Sequence, residues 1–219
     1  MLEVMNLNKT YKTYNGNVYA LRNINFTAKK GEFIAVIGQS GCGKSTLLNI
    51  IAGLLTPTDG TIIYNGDIIT GRKKSYLQEY RCRHVGIILQ NFSLLNDRTV
   101  RQNVELPLRI RKNGKEQKSK LVEMYLDNFG MLSKIDAFPN QLSGGEKQRT
   151  AIARALVSSP DIIIADEPTG ALDKTNAQQI VKMLREISIS GKIVIMATHN
   201  IDSVKMCDQC ITLSDGKII

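Results

Sequence analysis

The chain has 219 residues, of which 42% are hydrophobic and 22% are charged, so it can bury one large α/β core and does not resemble a disordered polypeptide. Its 29 lysines and arginines exceed its 20 acidic residues, and the net charge of +9 favours phosphate-bearing partners without choosing among nucleotide, nucleic acid and anionic lipid. The four cysteines fit neither a disulfide framework nor a zinc ribbon. No apolar run reaches the roughly 20 residues that span a bilayer, and no secretion signal is visible. We therefore expect a cytoplasmic location.

The N-terminal part of the chain alternates in the manner of β-strands. Apolar and polar residues alternate over 2–7 and 18–26, on either side of the turn-like sequence Asn15-Gly-Asn, and we expect a small antiparallel sheet. A short apolar strand at 33–37 then leads into a glycine-rich turn, and the helical spacing of apolar residues begins at Gly43. Strand, glycine-rich loop and helix therefore follow one another directly, which is the context that a phosphate-binding loop requires.

The glycine-rich turn matches the full phosphate-loop pattern. The loop consists of Gly38, Gln39, Ser40, Gly41, Cys42, Gly43, Lys44 and Ser45, and Thr46 follows it in the helix. Glycines allow the backbone to close around a phosphate with its N–H groups pointing inward, at the positive end of the following helix. Lys44 supplies a charge for the β- and γ-phosphates, and Ser45 supplies a hydroxyl ligand for Mg²⁺. These residues predict a site for ATP and Mg²⁺.

A charge-rich middle section at about 100–137 carries helical patterns, and an α/β alternation resumes after it. The pattern predicts helices at 143–158 and 174–190 and strands at 161–165 and 192–197. Such an alternation is typical of a largely parallel sheet covered by helices. We therefore predict an α/β fold with a mainly parallel sheet, an N-terminal antiparallel β-subdomain and a helical subdomain inserted at about 91–158, all within one domain over 1–219.

The strand at 161–165 leads to two carboxylates, Asp166 and Glu167. Open α/β sheets bind their ligands at the carboxyl ends of the strands, where these side chains lie. Asp166 suits Mg²⁺ coordination through a water, and Glu167 suits activation of the attacking water. An apolar strand that ends in acids is common in isolation. Together with the phosphate loop, however, this one indicates nucleotide hydrolysis.

The sequence Leu142-Ser-Gly-Gly-Glu-Lys-Gln-Arg149 resembles the signature sequence of ABC ATPases, which other phosphate-loop proteins lack. The remaining motifs of that family occur in order. Gln90 follows an apolar strand at 85–89, Asp173 ends the sequence Ala171-Leu-Asp, and His199 follows the strand that ends at 197. The resemblance covers essentially the whole chain, and it implies the phosphate-loop nucleotide-hydrolase fold.

The resemblance implies roles for three further residues. Tyr11 would stack on the adenine, Gln90 would link Mg²⁺ and the attacking water to the membrane partner, and His199 would contact the γ-phosphate. Tyr11 could instead be an ordinary strand aromatic, with Tyr14 as its rival, and Gln90 could be a loop amide. A single histidine is usually structural, but the position of His199 directly after an apolar strand favours the functional interpretation.

The resemblance also implies two partners. Ser143, Gly144 and Gly145 start a helix whose N–H groups favour an anion, and in the family that anion is the γ-phosphate held by the opposite subunit. Two copies would thus enclose two ATP molecules in a head-to-tail dimer, with Asp173 across the interface. The second partner would be a separate integral membrane permease, with this chain peripheral on the inner face of the membrane.

Three segments, 86–96, 99–108 and 166–173, are most similar to the bacterial branch for lipoprotein release, macrolide export and antimicrobial-peptide export or resistance, although Leu89 stands where many members have phenylalanine. Residues 91–108 would form the groove for the permease's coupling helix. The apolar residues of that segment could instead fill the core of the helical subdomain, and they are Phe92, Leu94, Leu95, Val104 and Leu106. The basic run at 109–120 is typical of a solvated face.

Two rival functions share the same chemistry. One is an ABC ATPase that acts on nucleic acid, but repair members insert long coiled coils and translation members carry two cassettes, and this sequence has neither. We therefore expect no nucleic-acid partner. The other rival is a regulator that resembles the cell-division ATPase, which the sequence does not separate from a transporter.

Overall fold

Two β-sheets form the framework of the computed structural model, which describes residues 1–14, 16–110 and 114–219. The first sheet is antiparallel and has the order β2-β1-β4-β5. Its strands are β1 (Leu2–Thr13), β2 (Gly16–Ala28), β4 (Asp59–Tyr64) and β5 (Asp67–Ile68). The predicted N-terminal antiparallel sheet is confirmed, whereas β4 and β5 were not predicted. Asn15, at the start of the predicted turn, lies outside the described residues.

The second sheet is parallel apart from one edge strand, and its order is β10-β9-β3-β8-β7-β6. Its strands are β3 (Phe33–Ile37), β6 (Val85–Leu89), β7 (Ile162–Asp166), β8 (Ile193–Ala197), β9 (Gln209–Ser214) and β10 (Lys217–Ile218). The central strands are continuous apolar runs because helices or the other sheet cover both of their faces. The predicted parallel sheet is confirmed, and β9 and β10 extend it at one edge.

Helices cover both faces of the parallel sheet. They are α1 (Lys44–Ile51), α2 (Lys74–His84), α3 (Val100–Glu105), α4 (Lys115–Asn128), α5 (Gly144–Leu156), α6 (Lys174–Ile189) and α7 (Ile201–Val204). Short 3-10 turns occur at Leu106–Ile110, Leu132–Lys134 and Pro139–Gln141. Helix α1 packs between the two sheets, while α5 and α6 cover the opposite face. Among the described residues, none of the helices combines the length and the apolar character that crossing a bilayer needs.

The helices between β6 and β7 have a hydrophobic cluster of their own. Val100, Val104, Leu108 and Leu126 are fully buried in it together with Ala153 of α5. Of the apolar residues predicted to line a groove, Val104 therefore belongs to this core, whereas Leu95 is 44% exposed. Phe92, Leu94 and Leu106 are half-buried. The core interpretation is thus right for Val104, and the groove remains a prediction for the other four.

The basic run at 109–120 falls partly outside the described residues, which omit 111–113. Arg109, Glu116 and Lys120 are exposed, and Lys120 forms an ion pair with Glu116 one helical turn away. This part of the run is a solvated face, as the sequence indicated.

Candidate functional site

A cavity of ≈ 1050 Å³ lies at the edge of the parallel sheet where β3, β7 and β8 end. Its walls include the whole phosphate loop from Gly38 to Ser45 and the following residue, Thr46. The other predicted residues in its walls are Tyr11, Gln90, Asp166, Glu167 and His199. The walls also include residues that the sequence analysis missed, namely Asn17, Val18, Tyr19, Ala20, Arg22, Asp215 and Gly216. The fold therefore brings together side chains that are more than 150 residues apart in the chain.

The phosphate loop depends on glycine conformations. Gly38, Gly41 and Gly43 have φ angles of 150°, 81° and 111°. A Cβ atom on Gly43 would lie 2.3 Å from the carbonyl oxygen of Ala20, so only glycine lets the loop pass this close to β2. Helix α1 starts at Lys44, and Gly43 at its N-cap has no side chain to occupy the first N–H groups. Those groups are available to an anion such as phosphate.

Lys44 is buried within the loop and lines the cavity. Its Nζ donates hydrogen bonds to the carbonyl oxygens of Gly38 at 2.7 Å and of Gln39 at 3.0 Å. Both acceptors belong to the loop itself, so the ammonium group is held where the loop can close around a phosphate. Ser45 is exposed to the same cavity, and its hydroxyl can take part in metal coordination.

Glu167 occupies a strained position directly after β7. Its φ angle is 48°, which is uncommon for a residue other than glycine, and its N–H donates to the carbonyl oxygen of Ala197 at 3.0 Å. Oε2 of Glu167 lies 2.9 Å from Nδ1 of His199, but the two groups are not aligned for a hydrogen bond. Within the described part of the chain, this buried oxygen has no hydrogen-bond partner. The Glu167 side chain as a whole is 17% exposed and lines the cavity, so part of the carboxylate can meet a water molecule there.

Gln90 approaches the same acids from β6, whose last residue, Leu89, pairs with Asp166. The Gln90 side chain lies against Gly170, where an added Cβ atom would be 2.7 Å from Nε2. The structure therefore brings Gln90, Asp166 and the phosphate loop to one cavity.

Tyr11, rather than Tyr14, lies at the cavity. The Tyr11 hydroxyl is 3.4 Å from Oγ1 of Thr46, and Nζ of Lys9 lies 5.1 Å from the centre of the Tyr11 ring. Tyr14 is fully exposed and does not line the cavity. The guanidinium of Arg22 stacks 4.9 Å from the ring of Tyr19, which adds a second aromatic side chain to the walls.

The signature residues Ser143, Gly144 and Gly145 do not line this cavity. Ser143 caps α5, with its Oγ accepting from the N–H of Glu146 at 3.3 Å and the Glu146 carboxylate accepting from the N–H of Ser143 at 2.8 Å. These hydrogen bonds to Ser143 lower the pKa of Glu146. The helix N-terminus is therefore preformed at a place that its own phosphate loop does not reach.

Asp173 is a neighbour of the signature residues and also stays out of the cavity. It caps α6, where its carboxylate accepts from the backbone N–H of Asn176 at 2.9 Å and from the Asn176 side chain at 2.6 Å. These bonds lower the pKa of Asp173. Asn176 is also close to Gly145, where an added Cβ atom would lie 2.4 Å from Oδ1. The capping aspartate and the signature glycine are thus linked through one asparagine.

The residues present fit a magnesium nucleotide. The glycine loop and α1 offer N–H groups, Lys44 offers a positive charge, and Ser45 and Asp166 offer oxygen ligands of the kind that Mg²⁺ prefers. The Glu167 carboxylate lies at the same cavity, with one oxygen 2.9 Å from Nδ1 of His199. This arrangement can bind a triphosphate and activate a water molecule against it.

Comparison with known proteins agrees with this geometry. A family model described as ABC transporter matches residues 21–170. The chain is 43% identical to an uncharacterized ABC transporter ATP-binding protein, YvrO, of Bacillus subtilis, over 100% of this chain and 96% of that protein. It is 41% identical to the methionine import ATP-binding protein MetN of Histophilus somni and 42% identical to the macrolide export ATP-binding/permease protein MacB of Bartonella henselae. These two matches cover 100% and 92% of this chain, but only 64% and 31% of the respective relatives.

Among solved structures, the dimeric ABC transporter cassette MJ0796 has a TM-score of 0.92 and 38% sequence identity, and the match covers 100% of this chain and 96% of that one. A dimeric post-hydrolysis state of the same cassette, bound to ADP and Pi, has the same TM-score and identity.

Proposed function

Because this chain belongs to the ABC transporter family and is an ATPase of that family, we propose that it hydrolyses Mg-ATP to drive a separate membrane permease. The observation that carries this proposal is the position of the Glu167 carboxylate, which lines the same cavity as a complete phosphate loop. A glycine-rich turn without a ligand would not need a carboxylate at that place. The pairing of these two features is what water-driven phosphoryl transfer requires.

In this proposal, each side chain acts from the position that the fold gives it. Tyr11 stacks on the base, while the loop N–H groups and Lys44 bind the phosphates. Bound Mg²⁺, held by Ser45, Asp166 and Gln90, would neutralise charge on the phosphate oxygens. The carboxylate of Glu167 accepts a proton from the attacking water.

His199 completes the site beside that base. Its Nδ1 lies 2.9 Å from the Glu167 carboxylate, and the ring, which is 72% exposed, can also face the γ-phosphate. A hydrogen bond from this ring would stabilise the charge that develops there as the water attacks. The other phosphate-loop residues, which include Cys42, contribute backbone groups to the binding of ATP.

We also propose a head-to-tail dimer of this chain. The signature residues form a capped helix N-terminus that lies outside their own nucleotide cavity, and a second copy could bring its phosphate loop to them. The cassette MJ0796 is described as a dimer and is similar over the whole chain, which supports the same arrangement here. Asp173, adjacent to Gly145 through Asn176, would lie at that interface.

The permease would contact the exposed side of the segment at 91–108. Leu95 is exposed there, and Phe92 and Leu94 are half-buried, so a short helix of a membrane subunit could pack on them. In that arrangement, the chain would be peripheral on the cytoplasmic face of the membrane, and nucleic acid would not be a partner.

For the transported molecule, we propose export of a peptide, macrolide or lipoprotein. The 42% identity to a macrolide export protein supports this direction. The 41% identity to a methionine import protein extends over 100% of this chain and favours import at least as strongly, so methionine uptake is the second candidate. Measuring the efflux of a macrolide and the uptake of methionine in cells with and without this chain would decide between them.

The hydrolytic proposal is tested by comparing Glu167→Gln with the unchanged chain in Mg-ATP. Glutamine keeps the size of the side chain but cannot accept the proton, so we expect turnover to fall by at least about 100-fold. ATP should then persist and the variant should accumulate as a dimer, measured by light scattering after size exclusion. A Glu167→Gln variant that hydrolyses ATP normally and stays monomeric would contradict both the base and the paired sites.

A further inference from the structure

The segment that follows Gln90 has an unusual backbone. Phe92 and Ser93 are consecutive residues with φ angles of 59° and 47°, in the left-handed region that residues other than glycine rarely adopt. Local hydrogen bonds link the Phe92 N–H to the Leu89 carbonyl at 3.2 Å and the Ser93 N–H to the Asn91 carbonyl at 2.6 Å. Such a strained pair persists only when the surrounding structure holds it in place.

The side chain that holds this pair comes from the signature helix α5. Arg154 donates from Nη2 to the carbonyl oxygen of Phe92 at 2.9 Å and from Nη1 to that of Ser93 at 2.6 Å. The guanidinium therefore bridges the two left-handed residues like a fork. The planar guanidinium offers its two nitrogens to the two carbonyls in a fixed geometry, whereas a lysine would have to bond both oxygens from one nitrogen on a flexible stem.

Arg154 lies in the last turn of α5 and is half-buried. Within the described residues, no carboxylate lies at ion-pair distance from it, and burial lowers the pKa of its guanidinium. Placing a cation in a partly desolvated position without an anionic partner is costly. The two carbonyl oxygens are the groups that offset this cost.

The same helix also holds the loop that carries Glu167. The fully buried Gln148, six residues before Arg154 on α5, donates from Nε2 to the carbonyl oxygen of Pro168 at 2.8 Å. Gln90 itself lies against Gly170 of that loop. Helix α5 is thus bonded to both segments that bring side chains to the cleavage end of the cavity, and its N-terminus is the signature sequence.

We propose that Arg154 is a positioning residue for hydrolysis, which fixes the backbone after Gln90 so that the Gln90 amide is held at the metal and water site. This proposal rests on the role given above to Gln90. It adds a physical connection within one subunit, because the hydrogen bonds of Arg154 would transmit a movement of the signature helix α5 to the segment after Gln90. Nucleotide binding by the phosphate loop does not depend on this connection.

The test uses Arg154→Met and Arg154→Lys in the purified chain, with Arg185→Met as the matched control. Arg185 is a half-buried arginine on α6 that pairs with Asp208, away from the cavity. In Arg154→Met, hydrogen exchange should become faster at the amides of 91–95, and exchange there should stay unchanged in the control. We expect kcat to fall at least about tenfold, because small displacements of a positioned group reduce rate strongly.

Three further readings separate positioning from a general loss of structure. The affinity for a fluorescent ATP analogue should remain unchanged, the Mg²⁺ concentration for half-maximal rate should rise, and Arg154→Lys should recover part of the rate. In a Gln90→Ala background, the Arg154→Met change should have little additional effect on kcat, because both changes act on one group.

The proposal is overturned if Arg154→Met keeps the rate and metal requirement of the unchanged chain. It is also overturned if nucleotide affinity and melting temperature fall in parallel with the rate, since that pattern indicates a purely structural role. An additive effect of Arg154→Met on Gln90→Ala would equally refute action through Gln90. The turnover of the unchanged chain and of Glu167→Gln tests the proposed function separately from all of these outcomes.

Discussion

Replacing Gly43 with alanine tests how closely the phosphate loop approaches strand β2. An alanine at φ 111° would occupy a conformation that costs about 1–2 kcal/mol for a residue with a Cβ atom. That Cβ atom would also lie 2.3 Å from the carbonyl oxygen of Ala20, about 1.1 Å closer than the 3.4 Å at which ordinary contacts begin. Because the neighbour is backbone in a paired strand, it cannot rotate away.

The matched control is Gly41→Ala in the same loop. Gly41 also has a positive φ angle, 81°, but among the described residues an added Cβ atom would meet nothing within 4 Å beyond its own chain neighbours. This variant carries the conformational cost alone, so we expect it to lower the free energy of unfolding by about 1–2 kcal/mol. The clash raises the expected loss for Gly43→Ala to about 2–5 kcal/mol.

Urea unfolding of both variants without nucleotide measures these losses. The Gly43→Ala variant should also bind ATP more weakly than Gly41→Ala, because relieving the clash moves the loop away from β2 and disturbs the start of α1. Equal unfolding free energies for the two variants, within about 0.5 kcal/mol, would show that the close approach to Ala20 does not constrain this loop.

Two further predictions concern the binding of the adenine ring and the stability of the fold at low pH. Tyr11→Ala should weaken ATP binding about tenfold through loss of stacking, whereas the exposed Tyr14→Ala should not, and equal affinities measured by titration calorimetry would refute the placement of the adenine. Burial tends to raise the pKa of Asp161, but the hydrogen bond from His84 at 2.7 Å helps to lower it on balance. A carboxylate whose pKa is lowered in the folded state stabilises the fold above about pH 4, and this stabilisation is lost as the pH falls further. In Asp161→Asn, the melting temperature measured from pH 7 to pH 3 should therefore fall less steeply with decreasing pH than in the unchanged chain. A fall as steep as that of the unchanged chain would contradict the role of that pair.

The parts of the site that the sequence predicts are those encoded in short contiguous stretches. The phosphate loop and the β7 acids each depend on a strand and the few residues after it, so hydrophobic patterning places them correctly. Strand β4 escaped notice because its partner is β1, with Leu2 opposite Tyr64, and nothing in either segment marks a pairing over that separation. Asp215 was missed for a similar reason, because it reaches the cavity from a turn near the C-terminus and no local pattern marks that approach.

The choice between Tyr11 and Tyr14 shows a different limit. Both lie in the same alternating region, and strand patterning alone does not say where the sheet edge meets the loop. The register does, because Tyr11 pairs with Val18, which itself lines the cavity. Tyr19 could have been suspected from the predicted hairpin, but only the three-dimensional position of Ala20 against Gly43 shows why this part of β2 must lie beside the phosphates.

The signature sequence illustrates why a motif that is easily recognised can still leave its mechanism incomplete. Its first residues form a preformed helix N-terminus that the subunit's own cavity does not use, which favours a second copy as the source of the anion. Further along the same helix, Gln148 and Arg154 are bonded to the two loops that carry Glu167 and Gln90. A ligand that moves the start of α5 would therefore shift both loops at once. Binding at the signature residues would then influence hydrolysis at the phosphate loop of the same subunit through a single helix.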